Sequence, residues 1–145
     1  KKYQLPRAKV DGAPLDFSLS GLKTAGLNLI HNAEQKKEPL DLPSFAASFS
    51  RAVADELVPR AMEAAEQCGR TKIAAAGGVA ANSKIRAELE RACQVSGKQL
   101  YLPKLSLCGD NGAMIGCQAY YEYLAGRRGD WSLNGYANRE IDLDA

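Results

Sequence analysis

The sequence predicts an α/β fold in which a small, mostly parallel sheet is accompanied by several helices. The predicted elements follow the order helix, helix, strand, helix, strand, helix, and the connections between the later ones are short. Strands that alternate with helices in this way usually pair in parallel through right-handed crossovers. Because two strands alone form a marginal sheet, we expect further chain to complete it.

Length and composition indicate one globular domain. The chain has 145 residues, of which 46% are apolar and 25% charged. No apolar run approaches the roughly 18 residues of a membrane span, and the first residues lack the pattern of a signal peptide. We therefore expect a cytoplasmic protein without membrane contact. A net charge of +2 does not indicate a nucleic-acid surface by itself. Because the sequence does not begin with Met, we expect a fragment or a processed product.

The cysteines and the histidine point away from disulfides and zinc clusters. Cys68, Cys93, Cys108 and Cys117 include no Cys-x-x-Cys pair, and without a secretory signal we expect reduced thiols. The single histidine, His31, lies far along the chain from any cysteine, which argues against a zinc cluster.

Two helical patterns come first. One begins near Ser20 and ends in the charged run before Pro39, and the other extends from about Asp41 to Cys68. Pro59 removes a backbone donor from the second pattern, so we expect a kink or a split near Leu57. The first pattern carries an apolar stripe of Leu22, Ala25, Gly26, Leu29, Ile30 and Ala33, and the second carries a ridge of Phe45, Phe49, Val53, Leu57, Ala61 and Ala65.

The strand–helix alternation follows. The run Thr71–Ala76 is followed by two glycines, and this pattern predicts a strand buried on both faces. A helix is predicted over 81–96, closed by Gly97, and a second strand over Gln99–Leu102. This helix should turn Ile85, Leu89 and Cys93 inward and pair Lys84 with Glu88 and Arg86 with Glu90 on its outer face. A last helix starts close to Asp110, stops at Gly126 and should turn Met114, Cys117, Tyr121 and Leu124 inward.

Three segments have a chemical interpretation. At Gly77-Gly78-Val79-Ala80-Ala81-Asn82, two glycines lead from a strand into a helix, which suits a bound anion or simply a tight turn capped by Asn82 or Ser83. At the next predicted helix start, Asp110 is an N-cap, a metal ligand or a partner for a sugar hydroxyl. Around Ser18–Thr24, two hydroxyls before the helix offer capping, whereas Lys23 opposes the helix dipole and is compatible with an anionic partner.

Together, these segments resemble one family. FSLSGLKT at 17–24 is similar to its FSFSGLKT stretch, GGVAAN at 77–82 to its identical turn, and CGDNGAMI at 108–115 to its CTDNGAMIA helix start. The tail WSLN at 131–134 fits the family's C-terminal end. The sequence is therefore identified as a member of the TsaD family of tRNA threonylcarbamoyladenosine transferases, also known as Gcp or O-sialoglycoprotein endopeptidase.

The resemblance implies a fold and a place within it. Family members have the two-lobed fold of actin-like ATPases and sugar kinases and hold a nucleotide between the lobes. A family chain is roughly twice as long as this one. Residues 1–145 would thus form the C-terminal portion, with the second lobe, the final helix and the tail, and the N-terminal lobe would be absent.

The resemblance also implies site residues. The positions of Gly77, Gly78 and Asn82 contact the adenylate part of the substrate, and the position of Asp110 binds an iron or zinc ion beside two histidines. The metal would polarise the carbonyl of the threonylcarbamoyl group as it moves to a tRNA adenosine. The His-x-x-x-His motif is missing here, and Gly109 stands where the family usually has Thr. We therefore expect the isolated chain to bind metal weakly and to transfer nothing.

Partners and alternatives follow from the same comparison. Bacterial members work with a related inactive subunit and a small ATPase, here called the TsaB-like and TsaE-like subunits. Without the other lobe, bare apolar surface should favour self-association.

A non-catalytic actin-like scaffold is the alternative function. A metallopeptidase ranks last, because nothing here supplies a general base beside Asp110. The transferase interpretation requires the turns at Asn82 and Asp110 to lie side by side at one edge.

Overall fold

The computed structural model describes residues 3–7 and 12–135 and divides after Gly109 into two compact units. Its helix-rich α/β architecture confirms the predicted class. Short 3₁₀ turns precede α3 at Gly78–Ala81 and follow β2 at Leu105–Leu107. The first unit contains α1 (Ser20–Lys36), α2 (Leu42–Gln67), β1 (Lys72–Ala74), α3 (Ser83–Ser96) and β2 (Gln99–Tyr101), and the second contains α4 (Gly112–Leu124).

The two strands form a parallel pair, as predicted. Ile73 lies opposite Leu100 in the register, and these two residues form the half-buried centre of the sheet. The expectation that β1 is buried on both faces is wrong, because its neighbours Lys72 and Ala74 are exposed. Within the described residues the sheet has only two strands, and only the face that carries Ile73 and Leu100 is partly covered.

The hydrophobic core lies between the first three helices. Both predicted apolar faces are at least half buried, and α1 and α2 approach so closely that a Cβ on Gly26 would lie 3.0 Å from the Phe49 ring. A side chain at position 26 would therefore require the Phe49 ring to shift slightly. The central cluster consists of Leu22, Val53, Ala54, Val58, Ile85 and Leu89.

Helix α2 is capped and continuous. The Asp41 carboxylate accepts hydrogen bonds from the backbone N–H and the hydroxyl of Ser44, over 3.1 and 2.8 Å. The split expected near Leu57 is not present, since the helix continues through Pro59 to Gln67. A proline inside a helix costs about 3 kcal/mol. Val58 and Ala65, on either side of the proline, are both buried, and the burial of apolar side chains acts against that cost.

Helix α3 begins two residues later than predicted, because the four residues before Asn82 form a 3₁₀ turn. Its predicted inward residues, Ile85, Leu89 and Cys93, are all buried. Gly97 ends the helix in the left-handed conformation with φ of 67°, as the sequence predicts.

The charged face of α3 agrees with the prediction in one pair and not in the other. Lys84 pairs with Glu88 over 2.8 Å. The expected pair between Arg86 and Glu90 is not formed, because the Arg86 guanidinium turns to backbone oxygens and a sulfur elsewhere in the first unit.

The predicted burial of one face of α4 is wrong. Met114, Tyr121 and Leu124 are 45%, 62% and 61% exposed, and Cys117 is exposed as well. Apolar residues surround most of this helix, so its sequence does not single out one buried face. The described part of the second unit has no other helix or strand that could cover it. Gly126, with φ of 75°, follows its end as predicted.

Two further properties bear on the surface and the thiols. Within residues 3–7 and 12–135, no helix combines the length and the apolar character needed to cross a lipid bilayer. The four cysteines are free, with Cys93 and Cys108 buried and Cys68 and Cys117 exposed.

The Glu88 carboxylate predicts a pH dependence of stability. Hydrogen bonds from Lys84 and Arg91, and the positive charges of both, lower the pKa of Glu88 from 4.5 to about 2. These ion pairs therefore stabilise the fold fully above pH 4.5, and the stabilisation is lost as the pH falls towards 2. We expect the difference in urea midpoint between the wild type and Glu88→Gln to be largest at neutral pH and to shrink towards pH 2. Glu90→Gln on the same helix is the control, and a pH-independent difference would contradict the assignment.

Candidate functional site

The connection from β1 to α3 exposes its backbone at the carboxyl end of the strand. Gly77 has φ of 88° and ψ of 170°, a conformation that essentially only glycine adopts. The chain then forms the 3₁₀ turn, in which the Ala80 N–H donates to the Gly77 carbonyl over 3.0 Å. A Cβ on Gly77 or Gly78 would meet nothing within 4 Å. A ligand can therefore approach the main chain at both glycines.

Asn82 joins this turn to α3. Its side-chain oxygen accepts hydrogen bonds from the backbone N–H groups of Lys84 and Ile85, over 2.9 and 3.3 Å. Asn82, rather than Ser83, is thus the N-cap. Among the described residues, the Asn82 amide nitrogen has no hydrogen-bond acceptor, so both of its N–H groups remain available. Capping the helix and binding a ligand are compatible functions of this one side chain.

The electrostatic setting of the turn favours an anion. Helix α3 has 14 residues and no acidic residue in its first turn. The N–H groups of Lys84 and Ile85 are already bonded to the Asn82 oxygen, so it is the helix dipole that presents partial positive charge at the end where the glycine turn arrives.

An apolar cavity lies between the segment at 17–24 and the glycine turn at 77–82. The cavity has a volume of about 440 Å³ and is bordered by Phe17 and Leu19 on one side and by Ala76 and Val79 on another. The segment that contains Phe17 turns into α1 at Ser20, whose N–H donates to the Ser18 hydroxyl oxygen over 3.3 Å. The remaining lining residues are Leu15, Leu57, Arg60, Ala61, Ala64, Ile73, Ala74, Ala75, Ala80, Ile85 and Leu89.

Arg60 is the charged residue in this lining, and it lies in none of the three sequence motifs. Its guanidinium bonds to the Glu56 carboxylate over 2.6 Å and to the Asp16 carbonyl over 3.0 Å. Glu56 is 2% exposed. The spacing of four residues within α2 is visible in the sequence and could have predicted the pair, but nothing local indicates that its carboxylate is buried.

The structure contradicts one of the roles predicted for Asp110, that of helix N-cap. Helix α4 begins at Gly112, and Asn111 is the N-cap, because its side-chain oxygen accepts from the Met114 N–H over 3.0 Å. The N-cap interpretation of Asp110 is therefore wrong. Asp110 is exposed and opens the second unit, whereas Gly77, Gly78 and Asn82 lie in the first. That the two turns share one edge stays a prediction.

The metal expectation can be compared with the donor groups present. Nowhere in residues 3–7 and 12–135 do three His, Cys, Asp or Glu side chains gather as metal ligands do. His31 is an exposed residue of α1. One carboxylate falls short of the three or four protein ligands that a zinc site usually requires, so these residues alone do not form a metal centre.

Comparison with known proteins gives one consistent result. Residues 1–117 match the family model described as TsaD: tRNA N6-adenosine threonylcarbamoyltransferase. A protein of that name from Staphylococcus carnosus is 41% identical over 140 residues, which cover 97% of this chain and 41% of the relative. Its counterpart from Staphylococcus aureus strain Newman is 42% identical over 142 residues, with 98% and 41% covered. The chain thus spans about 41% of the length of these curated relatives.

Proposed function

Because the chain belongs to the TsaD family of tRNA N6-adenosine threonylcarbamoyltransferases, we propose that it forms part of an enzyme that modifies tRNA. The substrates are threonylcarbamoyl-adenylate and an adenosine adjacent to the anticodon. The exocyclic amine attacks the carbonyl carbon of the threonylcarbamoyl group, and the bond from that carbon to the phosphate oxygen breaks. AMP leaves with the electron pair, and the amine loses a proton.

The glycine turn that leads into the Asn82-capped helix supports this proposal most directly. An adenylate carries a phosphate, which suits the N-terminus of α3, and ring nitrogens, which accept hydrogen bonds of the kind that the Asn82 amide can donate. The backbone conformation at Gly77, which other residues adopt only under strain, holds this turn open without a side chain in the way. Gly77, Gly78 and Asn82 are accordingly proposed to bind the adenylate.

The fold of the family suggests where this chain lies in the whole protein. TsaD proteins have an actin-like fold of two lobes, and we place residues 1–145 in the second lobe, with the final helix and the tail. The nucleotide would lie against the described turn and be enclosed by the other lobe. The chain alone is then expected to be inactive.

Asp110 is proposed as one ligand of an iron or zinc ion in the whole protein. Its carboxylate takes no part in capping α4, since Asn111 does so. The other ligands are expected outside this chain, because the described residues offer no histidine pair.

The expected metal content tests this assignment. The 145-residue chain should retain well below one equivalent of iron or zinc after dialysis, because a single carboxylate holds such ions weakly. In the complete protein, Asp110→Asn should lower the metal stoichiometry, and the exposed Asp130→Asn should not. Elemental analysis of the purified proteins measures both. A full, tightly bound equivalent in the 145-residue chain would contradict the assignment.

Partners are proposed on the same basis. The TsaB-like and TsaE-like subunits are expected to assemble with the whole protein in the cytoplasm. The exposed apolar side chains of the isolated chain favour self-association. They include Leu42, Leu105, Ile115, Tyr120, Tyr121, Leu124 and Leu133.

The decisive experiment uses Asn82→Asp in the complete protein. The aspartate keeps the oxygen that caps α3, so the unfolding midpoint should stay unchanged. It loses both amide donors and places a negative charge at the turn, so the affinity for threonylcarbamoyl-adenylate should fall at least about tenfold. Isothermal titration with a non-hydrolysable adenylate analogue measures the affinity.

Asn82→Ala is the companion variant, because it removes the cap together with the donors. It should weaken binding and also cost about 1 kcal/mol of stability. Wild-type affinity in Asn82→Asp would remove Asn82 from the binding site.

A further inference from the structure

Arg86 connects two parts of the first unit that are distant in sequence. Its Nε donates to the Ala80 carbonyl over 2.7 Å, inside the 3₁₀ turn that precedes Asn82. Its Nη2 donates to the Pro103 carbonyl over 2.6 Å and to the Cys108 sulfur over 3.3 Å. One half-buried guanidinium thus joins the glycine turn to the segment that follows β2.

The position of this bridge matters because the sheet ends just before it. The last hydrogen bond between the two strand segments runs from the Ala75 N–H to the Tyr101 carbonyl, over 3.1 Å. Beyond it, the first segment enters the glycine turn, and the second continues through Pro103 to Cys108, two residues before Asp110. Arg86 ties the two segments together where the sheet no longer does.

The chemistry of the bridge requires arginine. Its acceptors are two backbone carbonyls and the buried Cys108 sulfur, and within the described residues the guanidinium has no carboxylate partner. The rigid fork of N–H groups can serve acceptors in different directions at once, whereas a lysine ammonium is a single point donor. The Cys108 thiol in turn lies 3.6 Å from the Lys104 carbonyl, which helps to fix the sulfur.

We propose that Arg86 is a positioning residue that holds the adenylate-binding turn in register with the Pro103–Cys108 segment leading to Asp110. This inference rests on the proposed function. Without Arg86 the turn would open more often, but the Gly77 conformation and the Asn82 cap would still form it, so the adenylate would keep its affinity within about threefold. What Arg86 adds is a fixed placement of the adenylate-binding turn relative to the Pro103–Cys108 segment within the first unit, and the orientation of the bound substrate depends on that turn. Its loss should therefore lower kcat rather than raise KM.

The test compares three variants of the complete protein supplied with tRNA and threonylcarbamoyl-adenylate. In Arg86→Met, we expect kcat to fall at least about tenfold while the KM for the adenylate stays within about threefold. Arg86→Lys should recover only part of kcat and guards against a failure of Arg86→Met to fold. The control is Arg91→Met, which removes an exposed arginine of the same helix that contacts Glu88, and it should leave both constants unchanged.

Amide hydrogen exchange provides a readout that does not depend on activity. In both Arg86 variants, exchange should accelerate together in the segments 78–82 and 103–108, and in Arg91→Met it should not. Faster exchange with unchanged kcat would reduce Arg86 to a structural role and overturn the proposal. Acceleration in one segment alone would overturn the bridge itself. An inactive wild type would overturn the proposed function, while the exchange data would still decide whether Arg86 joins the two segments.

Discussion

Arg60→Met is expected to lower the free energy of unfolding of this chain by about 3 kcal/mol at neutral pH. Glu56 is 2% exposed, and its carboxylate depends on the guanidinium for an ion pair of 2.6 Å. Removing one partner of a buried pair leaves an uncompensated charge in the interior, at a cost of about 3–5 kcal/mol. We take the lower end because the Arg60 side chain is 20% exposed. Urea unfolding followed by circular dichroism measures the change.

The double variant Glu56→Met/Arg60→Met distinguishes this cause from loss of packing. Two apolar side chains of similar volume leave no buried charge, so the double variant should be more stable than Arg60→Met alone. Arg91→Met, at a 67% exposed side chain, should shift the midpoint far less. If Arg60→Met stayed within about 1 kcal/mol of the wild type, the carboxylate would not depend on the guanidinium.

Local sequence pattern predicted some features of the fold and not others. The apolar stripes of α1 to α3 and the Asn82 and Gly97 caps of α3 are local, and the structure confirms the helices within one or two residues. Burial on both faces of β1 and on one face of α4 was predicted wrongly. A periodic pattern identifies an apolar surface, but its burial depends on another segment of chain that covers it.

Local sequence pattern likewise predicted some residues of the candidate site and not others. Asn82 was recognised because a small polar residue after a glycine pair and before an apolar period is a local signal. Asp110 and Asn111 are equally suitable caps, so the sequence alone could not assign the cap to Asn111. The acceptors of Arg86 lie 6, 17 and 22 residues away, and no spacing rule predicts them. The expected pairing with Glu90 was the local alternative.

Gly77→Ala is expected to destabilise this chain by about 1–3 kcal/mol, because any other residue at φ of 88° and ψ of 170° is strained. Gly78→Ala is a matched control, since a Cβ at either position would meet nothing within 4 Å and only Gly77 has a positive φ. It should not lower the stability and should raise it by up to about 1 kcal/mol, because alanine reduces the conformational freedom of the unfolded chain. Equal losses in the two variants would show that backbone conformation at Gly77 is not the cause.

The same two variants distinguish the contribution of the turn to folding stability from its contribution to ligand binding. If the open space at Gly78 receives the adenylate, a methyl group there occupies the ligand's volume without disturbing the fold. In the complete protein, Gly78→Ala should then weaken binding of an adenylate analogue by about tenfold while the unfolding midpoint does not fall. Gly77→Ala should lower both, because it displaces the turn itself. Wild-type affinity in Gly78→Ala would mean that the ligand does not approach the backbone at this glycine, and the adenylate would have to be placed elsewhere.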